Sequence, residues 1–263
     1  MTAATYVIAS TPRSGSSLLA AGLGATGVAG RPEEYFAPEQ IGSYKEDWKL
    51  PKNCSWAEYR AKVMAFAVTE NGVLGIKIHW RHLVLLAQAL GFHGDPGIAL
   101  DILFPAAVFV NIVRADRRAQ AISLFRAEAT GEWARSRDQF ATLPAYLSPY
   151  RSHNRDSFKE SVDLSAVTPT YEQIIRIERD LAAEQAAWTY HFTTRCRKVL
   201  TVRYEELDRN YRGEIARVLQ FLGADPAHAD GLPQPTLARQ SDRINEHWLR
   251  LVEHEHHHKS TRK

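Results

Sequence analysis

Four short runs of β-branched and apolar residues, at 6–10, 73–78, 107–113 and 198–203, set the strongest limit on the fold. Each is followed by polar or helix-starting residues, and helical patterns lie between them. One helix is expected from about Ser16. Another starts near Ser55, where Ser55-Trp56-Ala57-Glu58 has the form of a capping box. A third spans about Asp116 to Thr130 and stops at Gly131. The longest follows Thr170, with Ile174, Ile177, Leu181, Trp188 and Phe192 on one face. Strands alternating with helices predict an α/β fold whose mainly parallel sheet is covered on both faces. The 263 residues suffice for one large domain and carry no internal repeat, so the chain reads as a single domain, 1–263. Residues 142–169 read as a long connection or lid, and 254–263, with its histidine run, as a flexible tail.

Composition narrows the function classes. With 44% hydrophobic and 24% charged residues and a net charge of only +3, the chain is an ordinary globular protein with no polycation for nucleic acid. Cys54 and Cys196 give neither a disulfide framework nor metal-ligand spacing, which suits a reducing cytoplasm. No apolar run approaches the length of a transmembrane segment, and the start has no leader pattern.

The first run leads directly into Arg13-Ser14-Gly15-Ser16-Ser17 and a helix start. Ligands of open α/β sheets bind beyond the carboxyl ends of the strands. Free backbone N–H groups, hydroxyls and the positive helix end therefore meet at one point, and Arg13 adds a planar fork suited to a tetrahedral oxyanion. A simple strand-to-helix turn has the same look. The lysine of a Walker loop is missing, which disfavours nucleoside-triphosphate chemistry and favours an anion transferred without a metal, a sulfuryl group first. The run at 107–113 ends beside Arg114, and Ser123 follows nine residues later. Together they suit a second phosphate.

These two elements resemble the phosphate-binding elements of sulfotransferases. The segments at 25–36 (ATGVAGRPEEYF), 75–80 (GIKIHW), 119–133 (AQAISLFRAEATGEW) and 235–248 (PTLARQSDRINEHW) are similar, in the same order, to the bacterial trehalose 2-sulfotransferase family. The resemblance implies a P-loop-like three-layer fold and the donor 3′-phosphoadenosine 5′-phosphosulfate (PAPS), with adenosine 3′,5′-bisphosphate as product and no metal. It also implies a carbohydrate or other alcohol acceptor, such as a glycolipid, and a homodimer. Arg13, Ser14, Gly15, Ser16 and Ser17 would grip the phosphosulfate, Arg114 and Ser123 the 3′-phosphate. Tyr204, in the LTVRYEEL corner at 200–207, would lie near the adenine and Arg239 over the nucleotide, with Arg243 next.

The family's Gly-x-Pro-x-Glu-x-Phe segment carries the general base, and it falls here on Glu34. Nearness to the sulfonate is expected to raise its pKa toward the useful range. Glu33 takes that role if the register slips by one, and His79 is a further alternative. Lys77 is placed to offset charge on the sulfonate and leaving phosphate. Arg31, Glu33, Tyr35, Trp80 and Trp133 are the acceptor candidates, with Trp48 and Trp56 as further sugar platforms. Family members that sulfate trehalose have an amide residue before the loop arginine and an acidic residue between the Gly and Pro. This chain has Pro12 and Arg31 there, and a shorter stretch after the Phe. Trehalose as acceptor does not follow, and Arg31 hints at an acidic or phosphorylated one, unless it pairs with Glu33. The alternative is a non-catalytic or ATP-type P-loop nucleotide-binding protein.

Overall fold

Each expected strand forms within one residue of its expected bounds. The computed structural model describes residues 5–131, 133, 167–233, 235 and 243–260. Its elements are β1 (Thr5–Ser10), α1 (Ser16–Ala25), α2 (Pro38–Asp47), α3 (Trp56–Ala67), β2 (Leu74–His79), α4 (Trp80–Ala89), α5 (Pro96–Leu103) and β3 (Val108–Val113). There follow α6 (Arg117–Thr130), α7 (Tyr171–Thr194), β4 (Val199–Arg203), α8 (Tyr204–Arg209), α9 (Tyr211–Leu222), a 3-10 turn (Pro226–Ala229) and α10 (Arg243–Ser260). The strands make one parallel sheet in the order β2-β1-β3-β4. The chain steps to one side of β1 to form β2 and then to the other to form β3. The carboxyl end of β1 is thus the switch point where open α/β sheets hold their ligands.

Alternation along the strands separates two cores. Val7, Ala9, Ile76, Ile78 and Phe109 pack under α3, α4, α5 and α7, with Tyr59, Leu83, Leu100 and Trp188 facing them. Tyr6, Ile8, Val110, Ile112 and Val202 meet α1 and α9 through Leu19, Leu23, Ile215 and Val218. A third cluster joins α6, α7 and α10 through Ile122, Leu181 and Trp248. Sheet and flanking helices make the three layers of a P-loop-like fold.

Local chemistry starts and stops the helices as expected. Ser55 Oγ accepts from the Glu58 amide at 3.2 Å, and Glu58 returns the bond to the Ser55 amide at 2.7 Å. Thr170 and Gln173 form the same box ahead of α7, at 3.3 and 2.8 Å. Gly131 ends α6 with φ 72°, where only glycine is unstrained. The expected tail is different: α10 runs through Ser260, because Ile244, Trp248, Leu249 and Val252 recur at helical spacing against the third cluster. Most of the 142–169 connection lies outside the described residues. Among the described residues no helix is long and apolar enough to cross a membrane.

Candidate active site

The loop after β1 is held in an unusual shape. Arg13 has φ 62° and Gly15 φ 91°, two positive angles within three residues, and such outliers concentrate at ligand sites. Gln120 from α6 clamps the loop, donating to Thr11 Oγ1 at 2.8 Å and to the Pro12 carbonyl at 2.7 Å. No side chain caps α1, so its first N–H groups point into the crevice. The α6 N-terminus differs: Asp116 caps the Ala119 amide at 2.8 Å, and Glu205 accepts from the amides of Ala115 and Asp116 at 3.0 and 3.3 Å.

The second expected element meets this loop. Arg13 Nε donates to Ser123 Oγ at 3.0 Å, and Arg114 Nη1 to the Arg13 carbonyl at 3.4 Å. The Arg114 guanidinium stacks 4.7 Å above the Tyr204 ring. That ring in turn lies so close to Gly15 that a Cβ there would sit 2.5 Å from it. Two donors at this crevice are buried without a partner among the described residues, Ser14 Oγ and Arg114 Nε. An unpaired buried donor costs about 1–3 kcal/mol, and a bound oxyanion would remove that cost at both.

Across the crevice the segment around Glu34 runs along the free edge of β2. The Lys77 amide donates to the Glu33 carbonyl at 3.0 Å and the Arg31 amide to the Ala67 carbonyl at 2.8 Å. Gly30, at φ 71°, lets the backbones touch, since a Cβ there would stand 2.5 Å from the Gly75 nitrogen. Glu34 Oε1 thereby sits 2.7 Å from Lys77 Nζ and 3.3 Å from His79 Nε2, with His82 Nδ1 3.6 Å from Oε2. Lys77, fully buried, also donates to Ser17 Oγ at 3.0 Å. The lysine absent from the loop sequence has a counterpart that reaches the loop from β2. His79 Nδ1 lies 2.8 Å from Ser10 Oγ. The Ser10 hydroxyl also reaches the Ile78 carbonyl at 3.3 Å; donated to Nδ1 instead, its one proton leaves Nε2–H for Glu34.

The Glu34 carboxyl is not raised, as the sequence suggested. Burial pushes it up, but Lys77, then His79 and His82, outweigh burial and hold it well below the ordinary value. His82 is lowered to about 4, by burial first and then by His79, and is neutral.

A family model described as Stf0 sulphotransferase matches residues 5–255. The chain belongs to the Stf0 sulfotransferase family. A protein of Mycobacterium tuberculosis (strain ATCC 35801 / TMC 107 / Erdman) named trehalose 2-sulfotransferase is 30% identical over 93% of this chain and 92% of its own. One of the same name from Mycolicibacterium smegmatis is 28% identical over the same shares. A crystal structure of a sulfotransferase from Alicyclobacillus acidocaldarius covers 96% of this chain and 92% of its own, with a TM-score of 0.51 and 12% identity. It shares the fold.

Within this sulfotransferase the expected residues separate into two groups. The loop, Arg114, Ser123, Tyr204, Glu34, Lys77 and His79 gather around one crevice, and the Trp133 carbonyl joins them by accepting from Arg13 Nη1. Trp133 is 46% exposed. Three acceptor candidates go elsewhere. Tyr35 is fully buried, its ring among Tyr44, Trp48 and Phe66 and its hydroxyl on the Arg31 carbonyl; it is the first central residue of a turn that the Ala37 amide closes on the Glu34 carbonyl at 3.0 Å, and it packs into the core while Glu34 takes the crevice side. Trp80 packs edge-on against Trp188. Arg31 donates to the Phe66 carbonyl at 3.0 Å and covers the Phe66 ring, so Phe66 rather than Glu33 is its partner. Trp48 and Trp56 pack on the core. Arg239 lies outside the described residues. Sequence reasoning missed Ser10, His82 and Gln120; His79 and His82, three apart on a helix start, were the available signal.

Glu33 is 2% exposed. Burial, with Lys77 opposing and Glu34 reinforcing, pushes its carboxyl up from 4.5 to about 8, so it is neutral at pH 7. Between pH 4.5 and 8 the unfolded chain has lost a proton that the folded chain keeps. Stability from this group is therefore full below the lower value and is lost as pH rises through the upper one. Glu33→Gln removes that loss. Its Tm is expected to exceed the parent's by several degrees at pH 8, at about 2–4 °C per kcal/mol, with the gap closing at pH 4.5. A gap independent of pH in thermal melts would refute a protonated Glu33.

Proposed function

We propose that this sulfotransferase moves a sulfuryl group from PAPS to a hydroxyl of a carbohydrate or glycolipid acceptor, with Glu34 as general base. One observation carries this reading: Lys77 Nζ bridges the Glu34 carboxylate and the Ser17 hydroxyl, at 2.7 and 3.0 Å. A basic group thus stands one ammonium away from an anion loop. The donor's oxyanions suit the residues around it. Ser14 Oγ and Arg114 Nε are donors without a partner among the described residues, Tyr204 is the ring that would meet the adenine, and the α1 N-terminus has no side-chain cap.

When bound, PAPS supplies a sulfur that bonds the acceptor oxygen as its bond to the 5′-phosphate oxygen breaks, leaving adenosine 3′,5′-bisphosphate. Glu34 takes the acceptor's hydroxyl proton. Lys77 and Arg13 offset charge at the loop. His79 orients Glu34, since its Nε2 is already turned to that carboxylate, and this favours Glu34 over His79 as base. Glu33, protonated, is no base at neutral pH. Glu34, Glu39 and His82 bring ligand atoms within 4.8 Å of one another, but the Lys77 ammonium already neutralises Glu34 and would repel a cation bound there. The chemistry proposed is metal-independent.

The names of the relatives support a carbohydrate acceptor, and Pro12 and Arg31 argue against assuming trehalose. The thiols of Cys54 and Cys196, both free, suit the cytoplasm, and a homodimer belongs to the same proposal. Calorimetry of adenosine 3′,5′-bisphosphate without magnesium tests the donor. Binding is expected to need the 3′-phosphate and to weaken about 10–100-fold in Arg114→Ala, the loss of one or two charged hydrogen bonds, with ADP unaffected. A magnesium-dependent preference for ATP would overturn the reading.

A further inference from the structure

The corner between β4 and α8 touches both anion-holding elements, and the chemistry above uses only its tyrosine. Val113 and Arg203 form the last register pair of β3 and β4, so residues 114–116 and 204–205 leave the sheet side by side. The Tyr204 ring stands between the two elements. Arg114 stacks on it at 4.7 Å, and a Cβ on Gly15 of the loop would sit 2.5 Å from it. One ring thus spaces the phosphosulfate loop from the arginine proposed for the 3′-phosphate.

The next residue, Glu205, fixes the backbone beyond that arginine. Its Oε1 accepts from the Ala115 amide at 3.0 Å and from the Asp116 amide at 3.3 Å. These are the first two N–H groups after Arg114, where the chain passes from β3 into α6. Bonds from amides to a carboxylate are charge-assisted and stronger than neutral ones. Glu205 does this without pairing through its second oxygen to the Arg114 Nε. Oε2 of Glu205 and Nε of Arg114 are both buried without a partner among the described residues, so the arginine is aimed and that donor is left for a ligand.

The same contact closes the start of α6. Asp116 takes the Ala119 amide at 2.8 Å and Glu205 the two before it, whereas α1 has no side-chain cap. With those amides taken, an anion beside β3 depends on the side chains of Arg114 and Ser123 and on where they are held. Charge and position act here with opposite signs. A carboxylate near Arg114 weakens its pull on an anion, while the two amide bonds keep Arg114 in place.

We propose that Glu205 is a positioning residue for the 3′-phosphate: it holds Arg114 on Tyr204 at a set distance from the loop, and so makes the site select nucleotides that carry that phosphate. The inference rests on the PAPS reading above and adds to it the residue that sets the spacing. Calorimetry without magnesium tests it, with adenosine 3′,5′-bisphosphate and ADP as probes. Glu205→Ala is expected to weaken the bisphosphate about tenfold, part of what Arg114→Ala loses. Its ADP affinity should stay within about twofold of the parent's, which also reports a folded loop. Glu205→Gln keeps an oxygen for the two amides and drops the charge, so it should bind the bisphosphate as tightly as the parent or more so. Adding Glu205→Ala to Arg114→Ala is expected to weaken binding by less than about twofold more, because a residue that acts through another is not additive with it. Four results would each overturn the assignment: unchanged bisphosphate binding in Glu205→Ala, equal losses for both nucleotides, Glu205→Gln as weak as Glu205→Ala, or full additivity with Arg114→Ala. Failure of the donor reading appears separately, as a parent chain that does not need the 3′-phosphate.

Discussion

Glu34→Gln is expected to lower kcat for sulfuryl transfer by about 10²–10⁴-fold, the usual worth of a positioned general base. The amide keeps the shape of the carboxyl, and its oxygen still accepts from Lys77 and His79, so the crevice keeps its geometry and loses only basicity and charge. Affinity for adenosine 3′,5′-bisphosphate should be equal or tighter, because the Lys77 ammonium no longer shares itself with a carboxylate. Stability should fall, since Lys77 is fully buried and an uncompensated buried charge is destabilising by about 3–5 kcal/mol. Glu33→Gln is the control, because Glu33 holds a proton near neutrality and has none to take from an acceptor. Steady-state kinetics of both variants decide the register. Lost turnover in Glu33→Gln with retained turnover in Glu34→Gln would transfer the role of base to Glu33.

What the sequence disclosed follows from how local each determinant is. The strands were legible because a parallel strand covered on both faces reads as a short apolar run. The box at Ser55, the helix start after Thr170 and the stop at Gly131 were legible because caps act within a few residues. The other helices were harder. In α2 the sequence PEQIGSYKED buries only Tyr44, and α8 is six residues long, so neither gives a periodic pattern. In α10 a histidine-rich end hid a helix whose apolar face depends on α6 and α7. At the site, the loop and Glu34 were singled out through motifs, but the joining contacts were not. Lys77 and Ser17 are 60 residues apart, Arg13 and Ser123 110. Such contacts come from strand order, which no local pattern encodes. Tyr35 shows the same limit: it follows Glu34 in sequence, but the turn between Glu34 and Ala37 leaves its ring in the core.

Lys77→Met should have an effect comparable in size and different in kind. The methionine fills a similar volume, so what is lost is a buried ammonium between the loop and Glu34. Removing charge stabilisation at the transferring group is expected to lower kcat by about 10²–10³-fold. The second consequence concerns pH. In the parent, Lys77 is the foremost of the charges that overcome burial and hold the Glu34 carboxyl down. Its contribution to stability is therefore present above the ordinary carboxylate value and is lost as pH falls through the lower, folded value. Without Lys77, burial, the largest single influence on this carboxyl, is opposed only by His79 and His82, and the folded pKa of Glu34 is expected to rise. The sign then reverses: stability from this group is present at low pH and lost as pH rises through the raised value. Melting curves from pH 4 to pH 8 should thus show Lys77→Met losing most at the alkaline end, with the acid limb of kcat/KM moved toward neutrality. Adding Glu34→Gln to Lys77→Met should restore stability, because removing both charges of a buried pair is far less harmful than removing one. A double variant no more stable than Lys77→Met, or an acid limb that stays in place, would mean that the Glu34–Lys77 contact governs neither stability nor the protonation of the base.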